Sequence, residues 1–235
     1  MDNRIVLFGI LTLIGIILYV IWVFFAQRQV MYMSLLLYRQ GDADKYLEEL
    51  ESPSSHFFFN KKLRTLMAID ANLVKGDAKQ LNLLFEKANA YKLKSTDRIL
   101  VQQKELLFRI TRDENEQAQA VYANIHSTYE NLTEKQKTKY KEILTEIEYP
   151  YAIHVKKDGK YASELMEKAK VISEAVPAGI CYIRAAQSYY LRKDFDRTQH
   201  ALEKAVNKLK ETSYYAPMQD ILKSREYKQL LSYRV

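Results

Sequence analysis

Tyr182-Ile-Arg-Ala-Ala-Gln-Ser-Tyr-Tyr-Leu-Arg-Lys-Asp-Phe-Asp-Arg-Thr-Gln-His-Ala-Leu-Glu-Lys-Ala205 sets small and aromatic residues at the intervals of two packed helices. Ala185, Ala186 and Ala205 are small enough for two backbones to approach closely. Tyr182, Tyr189, Phe195 and Leu202 fill the space around that approach at i, i+3, i+4 and i+7 spacing. Arg192-Lys193-Asp194 is the polar turn between the two helices. The stretch predicts one antiparallel helical hairpin.

A lone hairpin cannot bury its apolar face, so copies are expected at a fixed period. Leu202-Glu-Lys-Ala205 is echoed by Met166-Glu-Lys-Ala169, 36 residues earlier, and by Phe85-Glu-Lys-Ala88. Tyr122 and Leu50 continue the series, and turn residues recur at Gln40-Gly41-Asp42, Lys75-Gly76-Asp77, Arg112-Asp113-Glu114 and Lys157-Asp158-Gly159. The aromatic, small-pair, aromatic, turn, aromatic, small, large, small order resembles a tetratricopeptide (TPR) repeat, with Thr198 standing where that family usually has alanine. The resemblance implies an α-solenoid of about five TPR-like hairpins over residues 28–210, capped by two short helices within 211–235. It also implies a groove lined by the first helix of each hairpin. Carried onto the second and fifth repeats, the groove positions are Leu63, Leu66, Asp70, Leu73 and Val74, then Ile180, Ile183, Gln187, Tyr190 and Leu191. Such a groove suits an amphipathic helix or an extended apolar peptide.

Composition agrees with an all-α chain: 235 residues hold six Gly and four Pro, too few turn formers for a sheet protein. Residues 5–26, Ile5 to Ala26, carry no charged side chain over 22 positions, enough to cross a bilayer core of about 30 Å. Tyr19 and Trp22 stand where interfacial aromatics belong. A cleaved signal is the rival, weakened by the length of the run and by Phe24 before Ala26. Residues 1–27 are therefore expected to be a single-pass anchor in the lipid bilayer. With Asp2 and Arg4 before it and Arg28, Arg39 and Lys45 after it, the excess of basic residues leans the following domain to the cytoplasm. Neither Gly nor Pro lies between Ala26 and Tyr38, so the anchor is expected to run straight into the first hairpin.

Local signals mark the later boundaries. Ser52-Pro53-Ser54-Ser55 reads as a link, Thr133-Glu-Lys-Gln136 as a capping box, and Tyr149-Pro150 as a kink that stretches the fourth hairpin. Chemistry finds no foothold. His56, His126, His154 and His200 are scattered, no phosphate loop or nucleophile elbow occurs, and Cys181 sits in a packing segment. No catalytic residue, metal ligand or cofactor is expected.

Charge is uneven: residues 178–235 hold 11 Lys and Arg against 6 Asp and Glu, a surplus of 5. Arg184, Arg192, Lys193, Arg197, Lys204, Lys208 and Lys210 form a candidate basic face, to be weighed against an ordinary solvated surface. Two functions follow. One is a membrane-tethered adaptor that holds a protein or peptide in its groove. The other is a structural or accessory subunit of a membrane or envelope complex, held through the basic face or the anchor. Nucleic acid is the least favoured partner, because no reading module accompanies the charge.

Overall fold

The computed structural model describes residues 3–234, with side chains from residue 8 onward, so Asp2 lies outside the described residues and Arg4 is described by its backbone alone. The protein is all-helical, 82% of it in helices and without strands among the described residues. Its contacts divide it into two compact units, Met1–Leu93 and Lys94–Val235.

The first unit begins with α1 (Asn3–Ser34), which continues without a break into a π-helical turn, Leu35–Arg39. The expectation of an uninterrupted entry therefore holds. From Phe8 to Arg39 this helix is long and apolar enough to cross a membrane, and its apolar window is wholly unburied. Burial starts only at Met33, Leu36 and Leu37, which pack with Tyr46 and Leu50 of α2 (Ala43–Leu50), Phe59, and Ala71 of α4 (Lys61–Lys75). The change from bare to buried along one helix marks where protein replaces whatever surrounds residues 8–25. Ser52-Pro53-Ser54-Ser55 is not a bare link: Ser52 caps a short helix, α3 (Pro53–Phe58), with proline in its first turn. α4 and α5 (Ala78–Ala90) form the next pair, turned by left-handed Gly76 (φ 74°) and capped by Asp77, whose carboxylate accepts from the Gln80 N–H.

The second unit opens with the pair α6 (Ser95–Thr111) and α7 (Asn115–Glu130). Thr133 and Gln136 close the expected capping box on α8 (Glu134–Pro150), which passes into a second π-helical turn, Tyr151–Val155. Proline 150 has no N–H to give the preceding turn, so the helix opens there rather than ending. Then come α9 (Ala162–Val171), α10 (Ala175–Leu191), α11 (Phe195–Lys208), α12 (Tyr215–Ser224) and a 3₁₀ segment, Tyr227–Ser232. The two short closing helices stand where the sequence places them.

α10 is the centre of this unit and packs against both α9 and α11. Ala185, Ala186 and Ala205 are fully buried, and Tyr182, Tyr189 and Leu202 surround them in the largest core cluster. Thr198 is fully buried, its hydroxyl satisfied by donation to the Asp194 carbonyl at 2.7 Å. Phe195 departs from its expected packing role: its ring is 52% exposed and turned outward.

A left-handed residue recurs at five of the turns between helices: Gly41 (φ 69°), Gly76 (74°), Asp113 (56°), Lys157 (53°) and Lys193 (60°). The intervals are 35, 37, 44 and 36 residues, and an acidic residue follows each: Asp42, Asp77, Glu114, Asp158 and Asp194.

Candidate partner-binding surface

In the first unit the predicted groove residues lie along α4 at intervals of three and four, sharing one face. Leu63 and Val74 are exposed at 41% and 50%, while Leu66, Asp70 and Leu73 are half-buried. Asp70 lies beside Tyr38 and Tyr46, and burial followed by its negative charge pushes both phenols up. The strip is thus a mixed surface with an acidic centre.

In the second unit the predicted strip is interrupted. Ile180 remains half-exposed in a groove of about 590 Å³ with Cys181, Arg184 and Glu146. Ile183 and Gln187 are fully buried and offer nothing to a partner. The reason is the chain's own end: the Gln187 amide donates to the carbonyls of Leu230 and Tyr233, each at 2.7 Å. The tail is held again one residue later, where the Arg234 guanidinium donates to His154 Nδ1 at 2.7 Å and pairs with Asp113. Donation from a guanidinium requires an unprotonated Nδ1, so His154 is neutral here. Burial, then the charge of Arg234, depresses its pKa to about 3.

Past the tail the surface opens. Tyr190 and Phe195 (rings 6.2 Å apart) and Tyr227 (6.4 Å from Phe195, interplanar angle 19°) border a pocket of about 760 Å³. Arg225, Glu226, Lys228, Gln229 and Ser232 complete its rim. Of the three rings only Phe195 is exposed; Tyr190 is partly buried and Tyr227 belongs to the core, so the opening is a core edge with a charged rim. Tyr190 was anticipated; Tyr227 was not, because the contact that brings it there crosses 32 residues of sequence.

The basic face separates into two groups. Arg184 leaves it, since its side chain is largely buried and pairs with Glu146 at 3.0 Å beside Lys168. Arg192, Lys193 and Lys210 are exposed. Arg197 pairs with Asp194 at 3.5 Å and lies over the Tyr189 ring. With Lys204 and Lys208, seven and eleven residues on, it shares one side of α11, and those lysines flank a small groove with Tyr182 and Asn207.

Two buried or half-buried reactive types are accounted for by packing. Burial raises the Cys181 thiol above its ordinary range, which disfavours the thiolate. His126 meets Glu148 Oε1 at 3.1 Å, and Tyr122 and Tyr161 donate to the same carboxylate. Among the described residues, no group of three His, Cys, Asp or Glu is disposed to hold a metal ion. Comparison with protein-family models, with curated protein sequences and with solved structures finds no match for the chain.

Proposed function

We propose that the protein is a single-pass membrane scaffold of TPR-like helical hairpins that holds a protein or peptide partner beside the bilayer without acting on it chemically. The observation that carries this reading is the pocket of about 760 Å³ at the end of α10, bordered by exposed Phe195, part-buried Tyr190 and the buried ring of Tyr227. Rigid amphipathic rings contribute large contact area at small entropic cost, which is why they dominate binding hot spots. The recurring left-handed turn residue supports the repeat element of the proposal, and the unburied apolar helix supports the anchor. The surplus of basic residues after the anchor favours a cytoplasmic domain.

The alternative, an accessory subunit gripped by its basic end, draws on a specific observation too: Arg192, Lys193 and Lys210 remain exposed while half of the α10 groove strip is covered. A partner recovered from native membranes decides between them. Tyr190→Ala with Phe195→Ala is expected to abolish its recovery, and charge reversal at Arg192, Lys193 and Arg197 to leave it intact. The reverse result overturns the pocket and supports the accessory subunit.

A further inference from the structure

The polypeptide leaves the apolar helix α1, turns through α2, and then comes back along it. Gln29 of α1 fixes the level of the return: its amide donates to Glu49 Oε1 at 2.6 Å and reaches Ser54 and Ser55 at 3.5 and 3.4 Å. Ser55 also donates to the Met33 sulfur at 3.8 Å. From there α3 runs back toward the apolar segment, and Phe58 meets Trp22, ring centroids 6.3 Å apart. Trp22 precedes Gln29 by seven residues, which is about 10 Å along an α-helix. The tip of α3 therefore stands beyond Gln27 and Arg28, the polar residues that end the apolar run.

Four rings from two different elements meet at that level. Tyr19 stacks with Trp22 at 6.4 Å, Trp22 contacts Phe58, and Phe58 meets Phe57 edge-on at 5.1 Å. Phe57 is 71% exposed, whereas its neighbour Phe59 is buried in the core of the unit at 3%. The pattern Phe57-Phe58-Phe59-Asn60-Lys61-Lys62 thus sends one ring inward and one outward, followed at once by two exposed lysines. The Lys62 ammonium bonds the Lys92 carbonyl at 3.2 Å, which holds that stretch to the body of the unit.

We propose that the tip of α3, Phe57 with Phe58, seats in the boundary between lipid headgroups and acyl chains, giving the first unit a second membrane contact that does not span. The inference rests on the reading of α1 as an anchor. Aromatic rings concentrate at that depth and lysines just outside it, where anionic headgroups attract them. Phe57 is exposed one ring removed from the helix, through Phe58 to Trp22, so that lipid around Trp22 continues to it. The contact would fix the tilt of α1 and keep the following hairpins against the surface.

Trp22 is the chain's single tryptophan, which supplies both the test and its control. Full-length protein is reconstituted in phosphatidylcholine–phosphatidylglycerol vesicles containing lipids brominated either near the top or near the end of the acyl chain. In the W22F/F57W variant, shallow bromines are expected to remove about half of the tryptophan emission, and deep ones much less. Substitution at a position already facing outward leaves the fold intact. If Trp22 is quenched in the native chain while the F57W reporter is not, the tip does not touch lipid and the inference is overturned, although the anchor stands. Quenching of neither overturns the anchor as well. A blue-shifted but unquenched F57W reporter means that protein, such as a second copy of the chain, covers Phe57, which also overturns it.

Discussion

The turns at Lys157 and Lys193 both place a lysine in the left-handed region, yet they close over different lengths of chain. At Lys193 the helix stays α to its end, and the Asp194 N–H returns to the Tyr189 carbonyl five residues back. At Lys157 the helix has opened to π spacing, and the Asp158 N–H reaches the Ala152 carbonyl six back. The turn after Leu35–Arg39 is of the second kind, Asp42 bonding Leu36, while those at Gly76 and Asp113 are of the first. One added residue rotates every later side chain by about 100° around the helix axis. Two residues past the left-handed position, Gly159 is accordingly buried against α10, and Phe195 in the other turn faces solvent.

That pair gives the largest expected effect. A Cβ on Gly159 would lie 2.0 Å from the Ser188 carbonyl oxygen and 2.8 Å from Arg192 Cγ, so backbone must move. Gly159→Val is expected to cost about 3 kcal/mol or more. Phe195→Ala at the matching position should cost about 0.5–1 kcal/mol, because half of the ring is already solvated. Hydrogen exchange of the α10 amides in the full chain measures both. Similar protection losses would mean that the two turns are not equivalent positions of one motif.

The second contrast lies within α10. Ala186 is fully buried in the core cluster that α10 shares with its neighbours, and Ala186→Phe is expected to cost on the order of 1–3 kcal/mol through overpacking. Tyr190→Ala, one helical step further round, should change stability by only about 0.5 kcal/mol. It should instead weaken partner capture at the pocket. Comparable loss of Tm in both variants would place Tyr190 in the core and remove it from the binding surface.

How much of this was legible follows from the same turns. Gly41, Gly76 and the acidic caps are local signals, and they located helix ends from side-chain chemistry alone. The fifth hairpin was the clearest because its turn is α-ended and its alanines keep the regular phase. The first, third and fourth matched the repeat poorly; the first and fourth are the π-ended pairs, whereas the third is α-ended, with the Glu114 N–H on the Arg109 carbonyl. Pro150 announced one of those openings; Leu35–Arg39 has no proline behind it, and nothing local betrays it. Distance hid the rest. Gln187 looked like a groove residue because its partners at Leu230 and Tyr233 lie 43 and 46 residues away. Phe195 looked like filler because its stacking partner Tyr227 belongs to the tail.

Acid should separate the π-ended turn from the α-ended one more gently. His154 sits within the π-helical stretch, faced by Arg234, Lys157, Arg184 and Asp113. Its folded pKa of about 3 lies below its ordinary 6.5, so between those values the unfolded chain binds the extra proton. Stability is full above pH 6.5 and falls as pH drops toward 3, by up to about 1.4 kcal/mol per unit for one proton. Denaturant titrations from pH 7 to 4 should show this slope, and His154→Gln, which still accepts from Arg234 without titrating, should remove it. An unchanged slope in that variant would assign the acid sensitivity to other groups.

The smallest effect carries the opposite sign and bears on the turn motif itself. Lys157 and Lys193 occupy a backbone region where a Cβ crowds the following carbonyl, at φ 53° and 60°. The crowding costs about 1 kcal/mol or more for a residue other than glycine. Glycine relieves it but has more freedom to lose on folding, which offsets roughly 0.5–1 kcal/mol of the gain. Lys157→Gly and Lys193→Gly are therefore each expected to stabilise by about 0.5 kcal/mol or less, while Gly76→Ala, at φ 74°, should destabilise by about 1 kcal/mol. Because the strain belongs to the left-handed residue and not to the helix before it, the two lysine variants should agree despite their different closing bonds. A gain at Lys193 with a loss at Lys157 would show that the π opening sets the backbone of its turn by itself. The five turns would then be two motifs that share a rhythm.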